Sequence, residues 1–214
     1  MFVRNKMTLN PYTISYDDRL PAAKRLMEAK HIKHLPVMKN GRLVGIITGA
    51  DIAKAMPSVA TTLSASEIPY LLDKIRIADI MGRDPVTVAP DELLEEAAKK
   101  MRDTGVSFLP VMEQNSLVGV ISDGDIFDAF IELQGAREPG WRLVFETEDN
   151  HGVLARIAAF VEQAGGNITS SAVYRHQDPH KRYIILGVSE TDVDALCRQL
   201  EEAGLPVLYK TQNQ

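Results

Sequence analysis

The chain has 214 residues, which is enough for one large domain or for two to three small ones. Its net charge of −5 comes from dispersed acidic residues, so the basic face of a nucleic-acid-binding protein is not expected. The single cysteine, Cys197, excludes an internal disulfide, and no apolar run approaches the roughly 18 residues of a membrane span. With no recognisable signal peptide, these features predict a cytoplasmic protein that binds neither nucleic acid nor membrane.

The first half of the chain contains an internal repeat. Residues 45–52 (GIITGADI) recur as residues 119–126 (GVISDGDI), 74 positions further on. The same offset relates the Leu-Pro-Val triplet at 35–37 to that at 109–111 and Met7 to Met81. A register kept over this length predicts two duplicated modules that pack together, followed by a tail of different character.

The first module begins with a short predicted strand at residues 13–14, and Asp17 is predicted to be the N-cap of the helix that follows. Apolar residues at positions i, i+3 and i+7 mark the buried face of that helix. They are Leu20, Ala23 and Met27 in the first module, and Leu94, Ala97 and Met101 in the second, where Asp91 is the predicted N-cap.

A hairpin and a second helix complete each module. In the first module, residues 35–38 and 43–47 are predicted strands, joined by Asn-Gly at 40–41, a strong hairpin signal. Thr48 then opens the second helix. Residues 57–66 are predicted to be a loop and 67–77 a helix, so the domains are predicted as 1–56, a connector at 57–76, and 77–136.

The tail, residues 140–210, is predicted to fold in the order strand, helix, strand, strand, helix, strand. Its first helix shows the amphipathic spacing of residues 153–161, and Thr191 is the predicted cap of the last helix. This order corresponds to a ferredoxin-like split βαβ arrangement. The whole chain is therefore predicted to be an α+β protein.

The repeated motif pairs a hydroxyl with a carboxylate three residues later: Thr48 with Asp51, and Ser122 with Asp125. Such a pair is close to a helix capping box and needs no ligand. The same geometry suits a ligand, because a helix N-terminus attracts phosphate and a carboxylate accepts hydrogen bonds from ribose hydroxyls. Gly45 and Gly119, just before the motif, leave room for a ligand or for another backbone.

Residues 7–134, with Leu-Pro-Val in the middle and Gly-Ile-Ile-Thr-x-x-Asp or Gly-Val-Ile-Ser-x-x-Asp at the end, resemble tandem CBS domains. The resemblance implies a Bateman module, paired about a pseudo-twofold axis, with two clefts for AMP, ADP, ATP, NAD or S-adenosylmethionine. Thr48 and Asp51 would serve one cleft, and Ser122 and Asp125 the other. Adenine is expected near four apolar residues: Ile14 and Leu35 in one cleft, Val88 and Leu109 in the other.

The two clefts are not expected to be equivalent. The position that in some CBS domains meets phosphate with a basic residue holds His34 in the first copy and Phe108 in the second. His34 would favour a charged phosphate, whereas the alternative is a solvated histidine at the start of a strand.

In the tail, residues 149–155 followed by the Gly-Gly-Asn at 165–167 resemble an ACT domain. The resemblance implies pairing side by side and an amino acid held where the first strand-to-helix loop meets a neighbouring subunit. Asp149, Gly152 and Asn167 occupy the positions of the ligand contacts, and the alternative is that Gly152 and Asn167 simply make turns. His151 replaces the proline that often precedes the glycine in ACT domains.

A CBS pair followed by an ACT domain resembles the AcuB family of acetoin-utilisation proteins and implies a regulatory role. We therefore expect a homodimeric sensor that needs no cofactor, binds an adenine nucleotide as a regulatory ligand and contacts a protein partner. A scaffold with vacant clefts is the alternative. An enzyme is not expected, because it would need a nucleophile or an acid–base pair in the cleft, and each copy offers only one carboxylate and one hydroxyl. No metal site is expected either, because Pro179 interrupts the His176-x-x-x-His180 spacing.

Overall fold

A computed structural model of the chain describes residues 1–56 and 67–213, without the side chains of residues 67 and 68. The loop predicted at 57–66 lies outside the described residues. The chain divides into two compact units, an N-terminal unit (Met1–Ile126) and a C-terminal unit (Phe127–Gln214). Each unit combines helices with β-sheet, so the predicted α+β class is confirmed.

The first module forms a four-stranded sheet in the order β2-β3-β4-β5 with two main helices. The chain begins with a 3₁₀-helix (Val3–Asn5) and β1 (Thr8–Leu9). The next elements run in the order β2 (Ile14–Ser15), α1 (Leu20–Lys30), β3 (His34–Lys39), β4 (Arg42–Thr48) and α2 (Gly49–Ala55). After the undescribed residues come α3 (Glu67–Leu72), α4 (Ile77–Ile80) and β5 (Gly82–Arg83).

The second module repeats this plan with α5 (Leu94–Thr104), β6 (Phe108–Glu113), β7 (Ser116–Ser122) and α6 (Asp123–Leu133). Its sheet has the order β1-β7-β6. The predicted hairpin turns are confirmed, since both turn residues of each hairpin have positive φ. Core positions also repeat at the 74-residue offset: Ile14, Leu20, Ala23, Met27, Leu35, Val37 and Ile47 are buried, and so are Val88, Leu94, Ala97, Met101, Leu109, Val111 and Ile121.

Two crossing segments, residues 1–9 and 75–83, exchange places between the modules. β1 pairs with β7 of the second module, and β5 pairs with β4 of the first. The backbone contacts are reciprocal: Ile77 N donates to Asp18 O, and Val3 N donates to Glu92 O, each at 2.9 Å. Each module therefore completes its structure with a segment that precedes the other module in sequence.

The glycines before the repeated motif are explained by this exchange. A Cβ at Gly45 would lie 2.5 Å from the carbonyl oxygen of Gly82, and one at Gly119 would lie 3.0 Å from that of Thr8. A closely approaching strand requires glycine at both positions. Of the two interpretations left open by the sequence, approach of another backbone is the one that accounts for both glycines.

The predicted N-caps Asp17 and Asp91 are wrong. The residues that precede α1 and α5, Arg19 and Leu93, make no side-chain cap. Carbonyls of the crossing segments take this role, because Leu20 N donates to Ile75 O and Leu94 N to Met1 O, each at 3.0 Å. A local sequence pattern cannot reveal a cap that comes from a distant segment.

The C-terminal unit has the predicted element order. It consists of β8 (Gly140–Glu148), α7 (Val153–Gln163), β9 (Asn167–Arg175), β10 (Lys181–Ser189), α8 (Val193–Glu202) and β11 (Val207–Asn213). The sheet is antiparallel in the order β11-β8-β10-β9, as a ferredoxin-like fold requires. The predicted cap Thr191 is wrong: Asp192 Oδ1 caps α8 by accepting from the backbone N–H groups of Asp194 and Ala195, at 3.0 and 3.1 Å.

Candidate functional site

A cavity of about 680 Å³ lies beside the start of α2 in the N-terminal unit. This volume lies within the range of about 300–1,000 Å³ that is usual for small-ligand pockets. Three stretches form its walls: the ends of β3 and β4 with the start of α2, residues 82–86, and residues 105–108 of the second module. From the first stretch the lining residues are Lys33, His34, Ile46, Thr48, Gly49, Ala50 and Asp51. We call this cavity the first cleft.

Thr48 and Asp51 form a closed hydrogen-bonded pair in the first cleft. The Asp51 carboxylate accepts through Oδ2 from the backbone N–H of Thr48 at 2.9 Å and from its hydroxyl at 2.7 Å. The Asp51 backbone N–H donates in return to Thr48 Oγ1 at 3.2 Å. The capping box is therefore formed, and it uses one of the two carboxylate oxygens of Asp51.

Asp51 Oδ1 makes no hydrogen bond within the part of the chain that the structure describes. A carboxylate oxygen left free at the wall of a cavity can accept from the two vicinal hydroxyls of a ribose. Capping and ligand binding are thus compatible, because they use different oxygens of one carboxylate.

Ser122 and Asp125 reproduce this geometry in the second module. Asp125 Oδ2 accepts from the backbone N–H and the hydroxyl of Ser122, both at 2.7 Å. We call the surface around this pair the second cleft. Neither residue lines the first cleft or a further groove of about 480 Å³ that runs between α1 and α2.

His34 and Phe108 occupy matched positions of the two modules and stack on each other, with ring centroids 4.7 Å apart and an interplanar angle of 13°. The Ser107 hydroxyl lies 3.4 Å from His34 Nε2. Burial lowers the pKa of the His34 imidazole below its ordinary value, although the Asp123 and Asp51 carboxylates act in the opposite direction. Both rings line the first cleft, so His34 is a half-buried wall of it and not a freely solvated side chain.

The four residues predicted to lie near adenine are buried. Ile14, Leu35, Val88 and Leu109 are at most 5% exposed, and Ile14 and Leu35, predicted for the first cleft, are not among its lining residues. Ile14 and Leu35 belong to the same buried cluster as Leu20, Ala23 and Met27 of α1. The apolar wall of the cleft consists instead of Ile46, Pro85, Val86, Val106 and Phe108.

Sequence reasoning also missed the charged residues Lys33, Arg83 and Asp84 at the first cleft. Arg83 and Asp84 lie 32 and 33 positions beyond Asp51 and reach the cleft because β5 pairs with β4. The signal that could have found them was the close-approach glycine at Gly45, which marks where a distant strand arrives.

In the C-terminal unit, the predicted amino-acid contacts do not meet within one chain. Asp149 follows β8 at the sheet end where Glu148 pairs with Lys181, and its carboxylate forms an ion pair with Arg182 at 2.6 Å. Asn167 pairs with Ser189 at the other end of the sheet, about 25–30 Å away for strands of this length. Gly152 adopts a left-handed conformation (φ 79°) as the residue before α7, with open space around it.

His176 and His180 lie in the turn between β9 and β10 with Asp178. The Asp178 backbone N–H donates to His176 Nδ1 and the His180 backbone N–H to Asp178 Oδ1, each at 2.9 Å. The His176 ring packs against Tyr183 with centroids 4.8 Å apart. Among residues 1–56 and 67–213, no group of three or more histidine, cysteine or acidic side chains could hold a metal ion.

Cys197 is half-buried and packs against the core of the C-terminal unit, and burial raises the pKa of its thiol. Within the described ranges, no helix combines the length and the apolar character needed to cross a membrane.

Comparison with known protein families identifies both parts of the chain. The CBS domain family matches residues 3–58 and 77–132, and the TTHA0829-like ACT domain family matches residues 139–210. A CBS domain-containing protein of Dictyostelium discoideum is 33% identical over 135 residues, covering 62% of this chain and 93% of that protein. A homoserine O-acetyltransferase of Methanococcus vannielii is 37% identical over 126 residues, 58% of this chain, and the match spans 24% of the length of that enzyme.

Solved structures that are similar to the first part of the chain include the following two. The CBS domain pair of protein MJ0100, in complex with 5′-methylthioadenosine and S-adenosyl-L-methionine, is 30% identical with a TM-score of 0.51, covering 61% of this chain and 99% of that one. A Vibrio cholerae chain provisionally assigned as an acetoin utilization protein (AcuB) is 33% identical with a TM-score of 0.52, covering 65% of this chain and 98% of that one.

Proposed function

Because this chain belongs to the CBS-domain family, as a tandem CBS pair followed by a TTHA0829-like ACT domain, we propose that it is a regulatory sensor of adenosine-containing ligands and not an enzyme. The acetyltransferase activity of the Methanococcus vannielii relative is no part of the proposal, because the match spans 24% of that protein. The related CBS pair of MJ0100 supports an adenosine ligand, since it is in complex with two adenosine derivatives.

One observation carries the proposal: the first cleft brings together the three kinds of group that such a ligand needs. Asp51 offers a free carboxylate oxygen to the ribose. The Phe108 ring and Val86 offer an apolar surface to the base. Lys33 and Arg83 offer positive charge to a phosphate. We therefore propose Thr48, Asp51 and His34 as ligand-facing residues of the first cleft, and Ser122 and Asp125 as those of the second.

Both modules contribute walls to the first cleft, so a ligand in it contacts both at once. Ligand binding changes the preferred arrangement of the pair when the ligand has different affinity for two arrangements. We propose that this change alters how a homodimer of the protein meets a protein partner.

An amino acid is proposed only for an interface between two copies. One chain holds Asp149 and Asn167 at opposite ends of the sheet, so a second copy is needed to bring them together. Binding of an amino acid that is lost in Asn167→Ala and in Asp149→Ala alike would support this site.

The proposal is tested by thermal unfolding of the full chain with AMP, ADP, ATP, NAD and S-adenosylmethionine. A ligand at 100 times its dissociation constant adds roughly 2.7 kcal/mol to the free energy of unfolding, which a melting curve resolves. We expect at least one of AMP, ADP and ATP to raise the melting temperature of the parent chain and that shift to be lost in Asp51→Ala. Asp103→Asn, at an exposed position outside the cleft, is the matched control and keeps the shift.

Two outcomes contradict the proposal. If no adenosine ligand shifts the melting temperature, the chain is a scaffold with vacant clefts. If a bound ATP or NAD is converted to product by the parent chain, the protein is an enzyme.

A further inference from the structure

The two clefts correspond position by position, which allows their differences to be compared directly. His34 pairs with Thr48 across the first hairpin, and Phe108 pairs with Ser122 across the second. Gly49 N donates to Lys33 O at 2.9 Å, and Asp123 N donates to Ser107 O at 3.0 Å. Residues 49 and 123 therefore occupy the same place, at the first position of the helix that follows each motif.

At this place the first cleft has no side chain and the second has a carboxylate. A Cβ at Gly49 would meet nothing within 4 Å, so the space before α2 is open. In the second module the exposed Asp123 turns its carboxylate onto the helix start, where Oδ1 accepts from the Gly124 backbone N–H at 2.8 Å. The second cleft thus carries its own anion beside the backbone N–H that a ligand phosphate would use.

Two further matched positions also make the second cleft less positively charged than the first. The first cleft has Lys33 and Arg83, and the matched residues of the second module are Ser107 and Leu9. Ser107 and Phe108 of the second module line the first cleft, so by the same correspondence we expect Lys33 and His34 of the first module to approach the second. The Asp123 carboxylate acts on the His34 imidazole against the effect of burial, although burial keeps the pKa of His34 below its ordinary value. Its negative charge therefore offsets the positive charge that the second cleft receives from the first module.

We propose that Asp123 is a specificity-determining residue, which makes the second cleft select adenosine ligands whose 5′ substituent is neutral or positively charged and reject those with a 5′-phosphate. The first cleft, with Gly49 in the matched position, accepts the phosphorylated ligands. This inference rests on the proposed function, because it assigns different ligand classes to the two clefts of one sensor.

The test is calorimetric titration of the full chain with adenosine, AMP and S-adenosylmethionine. Asp51→Ala is used to remove ligand binding in the first cleft. In this variant we expect the second cleft to bind adenosine and S-adenosylmethionine at least tenfold more tightly than AMP. Adding Asp123→Asn keeps the shape of the side chain and removes its charge. We expect it to raise AMP affinity at least fivefold while adenosine affinity changes less than twofold.

The reciprocal variant, Gly49→Asp in the parent chain, places the carboxylate in the first cleft. We expect AMP binding there to fall at least tenfold, with adenosine binding changed less than twofold. An unchanged ratio of AMP to adenosine affinity in Asp123→Asn overturns the inference, and so does a second cleft that binds neither. If the parent chain binds AMP while Asp123→Asn has no effect, the proposed function stands and this inference alone fails. If the parent chain binds no adenosine ligand at all, both fail.

Discussion

The first and second clefts show which parts of a duplicated site are kept and which diverge. The hydroxyl–carboxylate pair is nearly identical in the two, with Oδ2 at 2.7 Å from the hydroxyl in both. The surrounding positions differ in charge and size, with Gly49 against Asp123 and His34 against Phe108. The capping box stabilises the start of the helix in each module, and its carboxylate is also the group proposed to face the ligand. The surrounding positions are not part of the capping box, so they can differ between the modules.

The largest expected difference between the modules is the loss of unfolding free energy when the glycine that faces each crossing strand is replaced by alanine. A methyl group at Gly45 meets the Gly82 carbonyl at 2.5 Å, whereas one at Gly119 meets the Thr8 carbonyl at 3.0 Å. Since overpacking costs about 1–3 kcal/mol, we expect Gly45→Ala to lower the free energy of unfolding by about 3 kcal/mol and Gly119→Ala by about 1 kcal/mol. Denaturant unfolding measures both.

Gly82→Ala is the control for that pair, because a Cβ there has an ordinary contact of 3.6 Å with Ile46 O. We expect it to be neutral or slightly stabilising, since alanine reduces the entropy of the unfolded chain. Equal losses in Gly45→Ala and Gly119→Ala would contradict the difference in strand approach.

The capping boxes are expected to behave alike. Thr48→Ala and Ser122→Ala each remove the acceptor of a helix N–H and a donor to the carboxylate, and we expect each to cost about 1 kcal/mol of unfolding free energy. Thr48→Ser retains the hydroxyl and is expected to lose much less. A much larger loss at one of the two sites, seen in the same unfolding experiment, would show that the modules differ in stability as well as in charge.

The smallest expected effect is a dependence of the folding stability on pH, which comes from His34. Burial lowers the pKa of His34 from its ordinary value of 6.5, so the unfolded chain takes up this proton before the folded chain does. The stability that comes from this difference in pKa is fully present above pH 6.5 and is lost as the pH falls through the lowered pKa of the folded chain. His34→Phe removes the titration, and we expect its melting temperature to rise relative to the parent as the pH is lowered from 8 to about 5.

His151→Gln, which replaces an exposed histidine of the C-terminal unit, is the control for the loss of an imidazole elsewhere in the chain. A constant difference between His34→Phe and the parent across the range would show that His34 does not couple to folding.

The sequence predicts those parts of the structure that depend on local patterns. The hairpin turn at residues 40–41 and the capping boxes at Thr48 and Ser122 follow from short-range spacing, and the structure has them. The element order of the C-terminal unit follows from periodicity in the same way. These features need only neighbouring residues to be recognised.

The errors share one physical cause, which is dependence on segments far away in sequence. Asp17 and Asp91 fail as caps because carbonyls of the crossing segments satisfy the helix N–H groups. Val86 and Val106 reach the first cleft from the second module, which no local pattern indicates, whereas Ile14 and Leu35 lie in the core. The strand register holds Asp149 and Asn167 at opposite ends of the sheet, so the amino-acid site stays a prediction that needs a second copy.

The reciprocal crossing segments also set the order in which the chain can fold as it is synthesised. The first module cannot close its sheet when residue 56 emerges, because its fourth strand, β5, is made only at residues 82–83. Residues 1–9 wait longer, since their partner β7 ends at residue 122. This segment precedes both modules in the chain, yet it can pair only when the second copy of the repeat has been synthesised.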